Sequence, residues 1–325
     1  MGVVANDQGH DLVDTTVLRA CGITAREVGG GCFCCCFDRL VDATEGWPRD
    51  LAPEVLVAEA VGSCTDLVAT VVRPLQALHA DHLTVGPVSV FVDVRRLAPG
   101  RAPVFSADVE YIAGTQLEDA DLIVLSKCDL LPPEEVAARR AAVAQACPQA
   151  TVMALSSTTG AHVAEWARAV LYGTPRRSPA AVDYARYGAG EARLAWLDLV
   201  ATLATPAAVD PIALLESVVS ELQRALHAAG IPIAHLKAAL STEGGVISVN
   251  VVSGDERPVL GLDRASPSTR ATLQLNLRAE SDPSTLDALA RTVLDAGAAR
   301  WRATFEVGQV RAFSPSPPVP THRMP

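Results

Sequence analysis

The chain has 325 residues, 49% of them hydrophobic and 20% charged, enough for two domains of ordinary size with sizeable cores. Its net charge of −10 excludes a sequence-independent DNA- or RNA-binding surface. No apolar run reaches membrane-spanning length, and the opening MGVVANDQGHDLVD lacks the basic-then-apolar order of a secretory signal. A cytoplasmic location is therefore the default expectation, with neither nucleic acid nor membrane as a partner.

In chain order, the first region runs over residues 1–172. Short apolar runs at 54–58, 88–92, 122–125 and 151–155 read as strands buried on both faces. Helical patterns lie between them, for instance over 133–146 and 161–171. This alternation predicts an α/β fold with a mostly parallel sheet and helices on both sides. A linker rich in Pro, Gly, Arg and Ala follows over 173–190. Residues 191–313 read as strand, helix, three strands, helix and strand, an α+β layer of ferredoxin-like order. Asp210-Pro211 and Asp282-Pro283 mark the two helix starts. The tail, 314–325, with Ser314-Pro315-Ser316-Pro317-Pro318, is expected to be disordered.

Gly29-Gly30-Gly31-Cys32-Phe33-Cys34-Cys35-Cys36 places four of the eight cysteines in five positions. Clustered thiols in a cytoplasmic chain point to metal or redox chemistry rather than disulfides. Cys32, Cys34 and Cys35 form a CxCC motif that offers three soft ligands from one turn, suited to Zn²⁺ or Cu(I). Three ligands leave one position open, which fits transfer better than structural locking. Cys36, Cys64, His10 or a partner protein are candidates for the fourth. His79 and His82 read as a surface pair.

Other motifs follow predicted strands, where α/β folds place ligands. Glu59-Ala60-Val61-Gly62 has the form of a Walker-B-like ExxG loop, with an acid for Mg²⁺ and a glycine N–H for a γ-phosphate. Ser126-Lys127-Cys128-Asp129 has the form of a guanine-reading NKxD loop with Ser for Asn. Ser156-Ser157-Thr158-Thr159-Gly160 fits a loop closing over the base. Only two lysines, Lys127 and Lys237, stand against twenty-five arginines. Codon bias accounts for the ratio, and a lysine that survives it is a candidate for chemistry arginine cannot do.

The collinear order of Asn6-Asp7-Gln8-Gly9, Asp14, Gly31-Cys32-Phe33-Cys34-Cys35, Glu59-x-x-Gly62, Val92-Asp93, Gln116 to Asp121 and Ser126-Lys127-Cys128-Asp129 resembles the CobW-type metallochaperone GTPases, related to HypB and UreG. The resemblance covers about residues 3–172 and, less specifically, the second domain. It implies a P-loop GTPase fold that binds GTP and Mg²⁺ and hydrolyses GTP slowly. It also implies a CxCC site that delivers zinc or cobalt to a client metalloprotein, with self-association a further partner option. Carried over, Ser126, Lys127, Asp129 and Ser156 surround guanine and Gly62 faces the γ-phosphate. Glu59 takes the Walker B role, Asp14 lies in a switch near Mg²⁺, and Cys32, Cys34 and Cys35 hold the metal.

One element of the family pattern is missing. Neither lysine follows Gly-x-x-x-x-Gly, so these residues contain no GxxxxGK[ST] loop. Without its N–H cradle and lysine, GTP affinity and hydrolysis are expected to collapse, which leaves enzyme activity open. The P-loop strand is normally internal, so its loss is expected to leave a gap between neighbouring strands. A start codon placed too late, or a variant that keeps only metal binding, would produce this pattern; the in-frame DNA upstream of Met1 separates the two. Beside a nucleotide-dependent metallochaperone stand a nucleotide-independent metal-binding or regulatory protein and, more weakly, a thiol redox protein using Cys34 and Cys35.

Overall fold

A computed structural model describes all residues except 10–11, 48–51, 98–99, 101, 176–177 and 255. The chain divides into two compact units, one of residues 1–62 with 188–318, the other of residues 63–187 with 319–325.

The first unit begins with β1 (Gly2–Asn6), α1 (Val13–Ala20), β2 (Ala25–Val28), α2 (Phe37–Glu45) and β3 (Leu56–Glu59). The three strands form a parallel sheet in the order β2-β1-β3. The second unit contributes α3 (Arg73–Leu78), β4 (Ser89–Asp93), α4 (Ala107–Asp119), β5 (Leu122–Ser126), α5 (Pro133–Ala146), β6 (Thr151–Ala154) and α6 (Val163–Tyr172). Its sheet is also parallel, in the order β4-β5-β6. The expected parallel α/β character is present, divided into two three-stranded sheets. Among the described residues β3 pairs only with β1, and β4 only with β5. These edge strands are only half-buried where burial on both faces was expected, and Phe91 of β4 is 50% exposed. Central β5, by contrast, is buried from Leu122 to Leu125.

Helix α7 (Tyr184–Arg193) occupies the end of the expected linker and leads into β7 (Leu194–Val209). Then come α8 (Pro211–Ala228), β8 (Ile233–Thr242), β9 (Gly245–Val251), β10 (Val259–Arg264), β11 (Ser268–Glu280), α9 (Pro283–Trp301) and β12 (Thr304–Phe313). They build a six-stranded antiparallel sheet in the order β10-β9-β8-β11-β7-β12. Strands β7, β8, β11 and β12 with the two helices have β-α-β-β-α-β connectivity, and the β9–β10 hairpin extends one edge. Strand β10 was not expected from the sequence, where Gly254 and Pro258 dominate the pattern just before it. Asp210 and Asp282 cap α8 and α9 as expected, accepting from Ile212 and Thr285 N–H groups.

Alternation along these strands sends residues to two faces. One face, with Leu197, Leu199, Leu203, Leu236, Leu240, Leu273, Leu275 and Leu277, packs on Leu214, Leu215, Val218 and Leu222 of α8 and on Leu286 and Leu294 of α9. The other face carries Trp196, Asp198, His235, Lys237, Gln274, Asn276 and Arg278, and α1 packs against β8, β9 and β11. The tail read as disordered forms no helix or strand, and within the second unit Arg323 donates to the buried Asp66 at 2.8 Å. No described helix is long and apolar enough to cross a membrane.

The apolar face sets most of the stability of the first unit. Leu214→Ala is expected to lower the unfolding free energy by about 2–5 kcal/mol, read as an earlier midpoint in urea denaturation.

Candidate metal and nucleotide sites

The cysteine loop joins β2 to α2. Backbone N–H groups of Cys35 and Cys36 both donate to the Cys32 carbonyl, which closes the chain into a turn that feeds α2. The turn brings three sulfurs together: Cys32 and Cys34 lie 2.8 Å apart, Cys32 and Cys35 3.3 Å, and Cys34 and Cys35 3.7 Å. A tetrahedral zinc with Zn–S near 2.3 Å needs sulfurs about 3.8 Å apart, so small side-chain rotations would admit an ion. Among the described residues this is the one group of three or more His, Cys, Asp or Glu whose ligand atoms converge. Cys32 and Cys34 are buried, while Cys35 is partly open. No disulfide links any of the eight cysteines. A Cβ at Gly31 would meet the Cys36 sulfur at 2.7 Å, so a larger residue there would make the Cys36 side chain rotate. His10 lies outside the described residues.

The loop is held by one side chain. Asn6, at the end of β1, donates through Nδ2 to the carbonyls of Val28 and Gly31, both at 2.7 Å. Its Oδ1 accepts from Phe33 N–H at 2.9 Å and, more weakly, from Val61 N–H at 3.4 Å. Both of its donors and both acceptor positions are thus used. Gly31 and Phe33 flank Cys32, so Asn6 brackets the first metal-ligand candidate. The Val61 bond adds the loop after Glu59 to the same bracket. Sequence reading placed Asn6 in a motif without a role; a buried asparagine closing a strand was the available signal.

Asp14 and Glu59 stand apart from the cysteines. Asp14, in the first turn of α1, accepts from the Lys237 ammonium of β8. Glu59 closes β3 with its side chain reaching solvent; the protein packed around it still raises its carboxyl, against the pull of Lys237. Burial works against the charge of Lys237, but Asp14, Glu59 and Asp7 together hold it above the ordinary lysine range. Asp7 is buried, and desolvation raises its carboxyl to about 7, helped by Asp198 and opposed by the Gly9 N–H. Gly9 cannot carry a Cβ, which would fall 2.1 Å from Asp198 Oδ2. Asn276 joins these parts: it donates to Asp198 at 2.8 Å and accepts from Val13 N–H at 2.8 Å, capping α1 from a different strand. Arg278 pairs with the buried Glu191, which also accepts from Gln8, and lies over Trp196.

The residues expected to surround guanine sit at the carboxyl ends of β5 and β6. Lys127 has a left-handed backbone, φ +60°, and its ammonium binds Asp93 at 2.9 Å. Burial opposes ionisation of Asp93, but hydrogen bonds from Arg95 and Lys127 outweigh it and hold the carboxyl below the usual range. Ser126 donates to the Val92 carbonyl, and Asp129 is exposed. Cys128 N–H donates to Leu155, which fixes this loop beside the one carrying the buried Ser156. Ser156 Oγ accepts from Thr159 N–H at 3.1 Å. The structure thus gathers Ser126, Lys127, Asp129 and Ser156 at one end of a sheet. Gly62 follows β3 in the other unit, with open space where a Cβ would stand.

Residues 1–154 match the family model described as CobW/HypB/UreG, nucleotide-binding domain. No curated protein matches the chain. Two solved structures are similar to it. A zinc-bound triple mutant of YjiA GTPase has 14% identity and a TM-score of 0.33, covering 92% of this chain and 90% of that one. Zinc-bound YjiA GTPase from E. coli has 13% identity and a TM-score of 0.31, covering 93% of this chain and 90% of that one.

Two outcomes are expected. Asn6→Asp replaces a donor by an anion facing two carbonyls, and should weaken zinc binding about tenfold or more in competition with a chromophoric chelator. Asp7 binds its proton more tightly folded than unfolded, so its contribution to stability is full below about pH 4 and is lost as pH rises towards 7. Asp7→Asn should therefore stabilise the chain at pH 8, by an amount on the order of 4 kcal/mol at most, and lose that advantage near pH 4 in urea denaturation.

Proposed function

We propose that the chain, whose residues 1–154 match the CobW/HypB/UreG nucleotide-binding family model, binds zinc or cobalt through Cys32, Cys34 and Cys35 and passes it to a client metalloprotein. The observation that carries this is the convergence of three sulfurs on one turn, clamped by Asn6 and placed at the start of α2. Three thiols gathered at mutual contact favour an ion over the two-thiol geometry of a redox pair. The amino end of a helix carries partial positive charge, which favours the anionic thiolate cluster. One coordination position stays open, so an incoming thiolate or imidazole from a client can enter and take the ion by ligand exchange. Cys35, the partly open member, is the sulfur such a ligand would replace first.

For a guanine nucleotide, Ser126, Lys127, Asp129 and Ser156 are the residues in place. The Lys127 stem suits the base plane, and the exposed Asp129 suits acceptance from the ring N–H and amino group. Asp93 fixes the Lys127 ammonium and so presents the stem. GTP when bound supplies the phosphate charge that a nucleotide switch responds to. No GxxxxGK[ST] loop occurs among these residues, and the Asp14 carboxylate is engaged by Lys237 rather than directed to an open cation position. The site as arranged does not fit Mg²⁺, and no hydrolytic step is derived from it. That same ion pair favours a second reading, a metal-binding protein whose grip does not depend on nucleotide.

Cobalt(II) titration of the reduced chain tests the reading. Thiolate-to-cobalt charge-transfer bands in the near ultraviolet are expected, weakened by Cys→Ser at position 32, 34 or 35 and abolished by all three together. Unchanged bands in the triple variant would refute the site. Repeating the titration with GTP separates the two readings: a shifted affinity supports the nucleotide-dependent one, and an identical curve supports the other.

A further inference from the structure

We propose that Lys237 is the resident counter-cation of Asp14 and Glu59, so that a divalent cation and the Lys237 ammonium compete for the same carboxylates. The proposal rests on Asp14 and Glu59 being cation-facing acids, and is independent of the cysteine site.

The geometry begins with the sheet. Lys237 lies in β8 on the face opposite the leucine core, between the apolar Leu236 and Ala238 that point to α8 and α9. Register sets Lys237 beside Asn276 of β11 and Asn250 of β9. From there its ammonium reaches Asp14, in the first turn of α1, while Glu59 and Asp7 act on it at longer range. His235, on the same face, is half-buried and held neutral by desolvation, with Lys237 and Arg278 adding to the effect. Asp198 lies near Asp7, and Arg278 is taken up by Glu191. Facing Asp14 and Glu59, the one cation available in this set is Lys237.

The residue type fits the role. An ammonium is a compact, strongly hydrated point charge, closer in size and behaviour to a metal ion than the planar guanidinium. Arginine outnumbers lysine twenty-five to two in this chain, yet lysine stands here. Mg²⁺ and Mn²⁺ commonly take one or two carboxylates and complete their shells with water or phosphate. Asp14, with Glu59 acting at longer range, would be left to a hydrated ion once Lys237 withdraws. While it stays, its charge repels a divalent ion and occupies the Asp14 oxygen. Cation binding and docking of this lysine are therefore mutually exclusive.

Mn²⁺ is the probe, because as a hard ion it prefers carboxylate to the thiolates of the cysteine loop. Binding to the full-length reduced chain is followed by the loss of the free-ion electron paramagnetic resonance signal. Lys237→Met is expected to gain one Mn²⁺ site at least tenfold tighter than in the native chain, and adding Asp14→Asn should remove it. Lys237→Arg keeps the charge and should behave as the native chain. Equal Mn²⁺ affinity in the native chain and Lys237→Met would overturn the proposal. A second measurement keeps it testable should Lys237→Met fail to fold. Acetylation of Lys237, normalised to Lys127 by mass spectrometry, should rise severalfold on Asp14→Asn; an unchanged ratio would equally overturn it. Loss of the cobalt bands in the cysteine variants would leave either result untouched.

Discussion

The first unit depends on how the polar face of its six-stranded sheet is covered. Asp198, Asn276 and Arg278 are all buried there, and burying a charge or an amide is costly unless partners replace water. The partners come from two short segments. Glu191 of α7 takes Arg278 and also accepts from Gln8, while Val13 N–H donates to Asn276. Lys237 takes Asp14, and Thr16 donates to Gln274. The apolar face would pack on α8 and α9 with or without these bonds. Its polar counterpart fixes where Gln8, Val13, Asp14 and Thr16 lie.

Asn6 orders the cysteine loop in a comparable way. Its side chain has two donors and two acceptor positions, and all four go to backbone groups from three separate stretches. A four-way bracket of this kind is intolerant of substitution: serine is too short, aspartate has the wrong polarity, and alanine removes all four bonds, leaving the Val28 carbonyl only its bond from Asp7 N–H. Because two of those groups flank Cys32, the cost of any loosening falls on the sulfur geometry. The three sulfurs are therefore ordered by a residue outside their own cluster.

Much of this was legible in the sequence, and the reasons differ by element. The CxCC turn and the strands at β4, β5 and β6 were readable because their signals are local: cysteine spacing, short apolar runs, and Asp-Pro starts for α8 and α9. The polar sheet face was not. Residues such as Asp198, His235, Lys237, Asn276 and Arg278 alternate with apolar neighbours, and alternation reads as one buried and one solvated face. Nothing local says that the second face is covered by a segment some 180 to 270 positions earlier, as the Gln8–Glu191 and Val13–Asn276 bonds require. The raised Asp7 carboxyl belongs to the same category, since its cause is burial against a distant strand. Lysine scarcity was the one global signal that pointed at position 237.

The segment from Asn6 to Asp14 joins the two halves of this picture. At one end Asn6 holds the cysteine turn and, through Val61, the loop that follows Glu59. At the other end Asp14 is held by Lys237. Gly9, midway, is pressed so close to Asp198 that it cannot carry a side chain. Asn6, Gly9 and Asp14 are thus each tied to a different neighbour: the cysteine turn, Asp198 and Lys237. Releasing Asp14 from Lys237 would leave the first turn of α1 held at Val13 by Asn276.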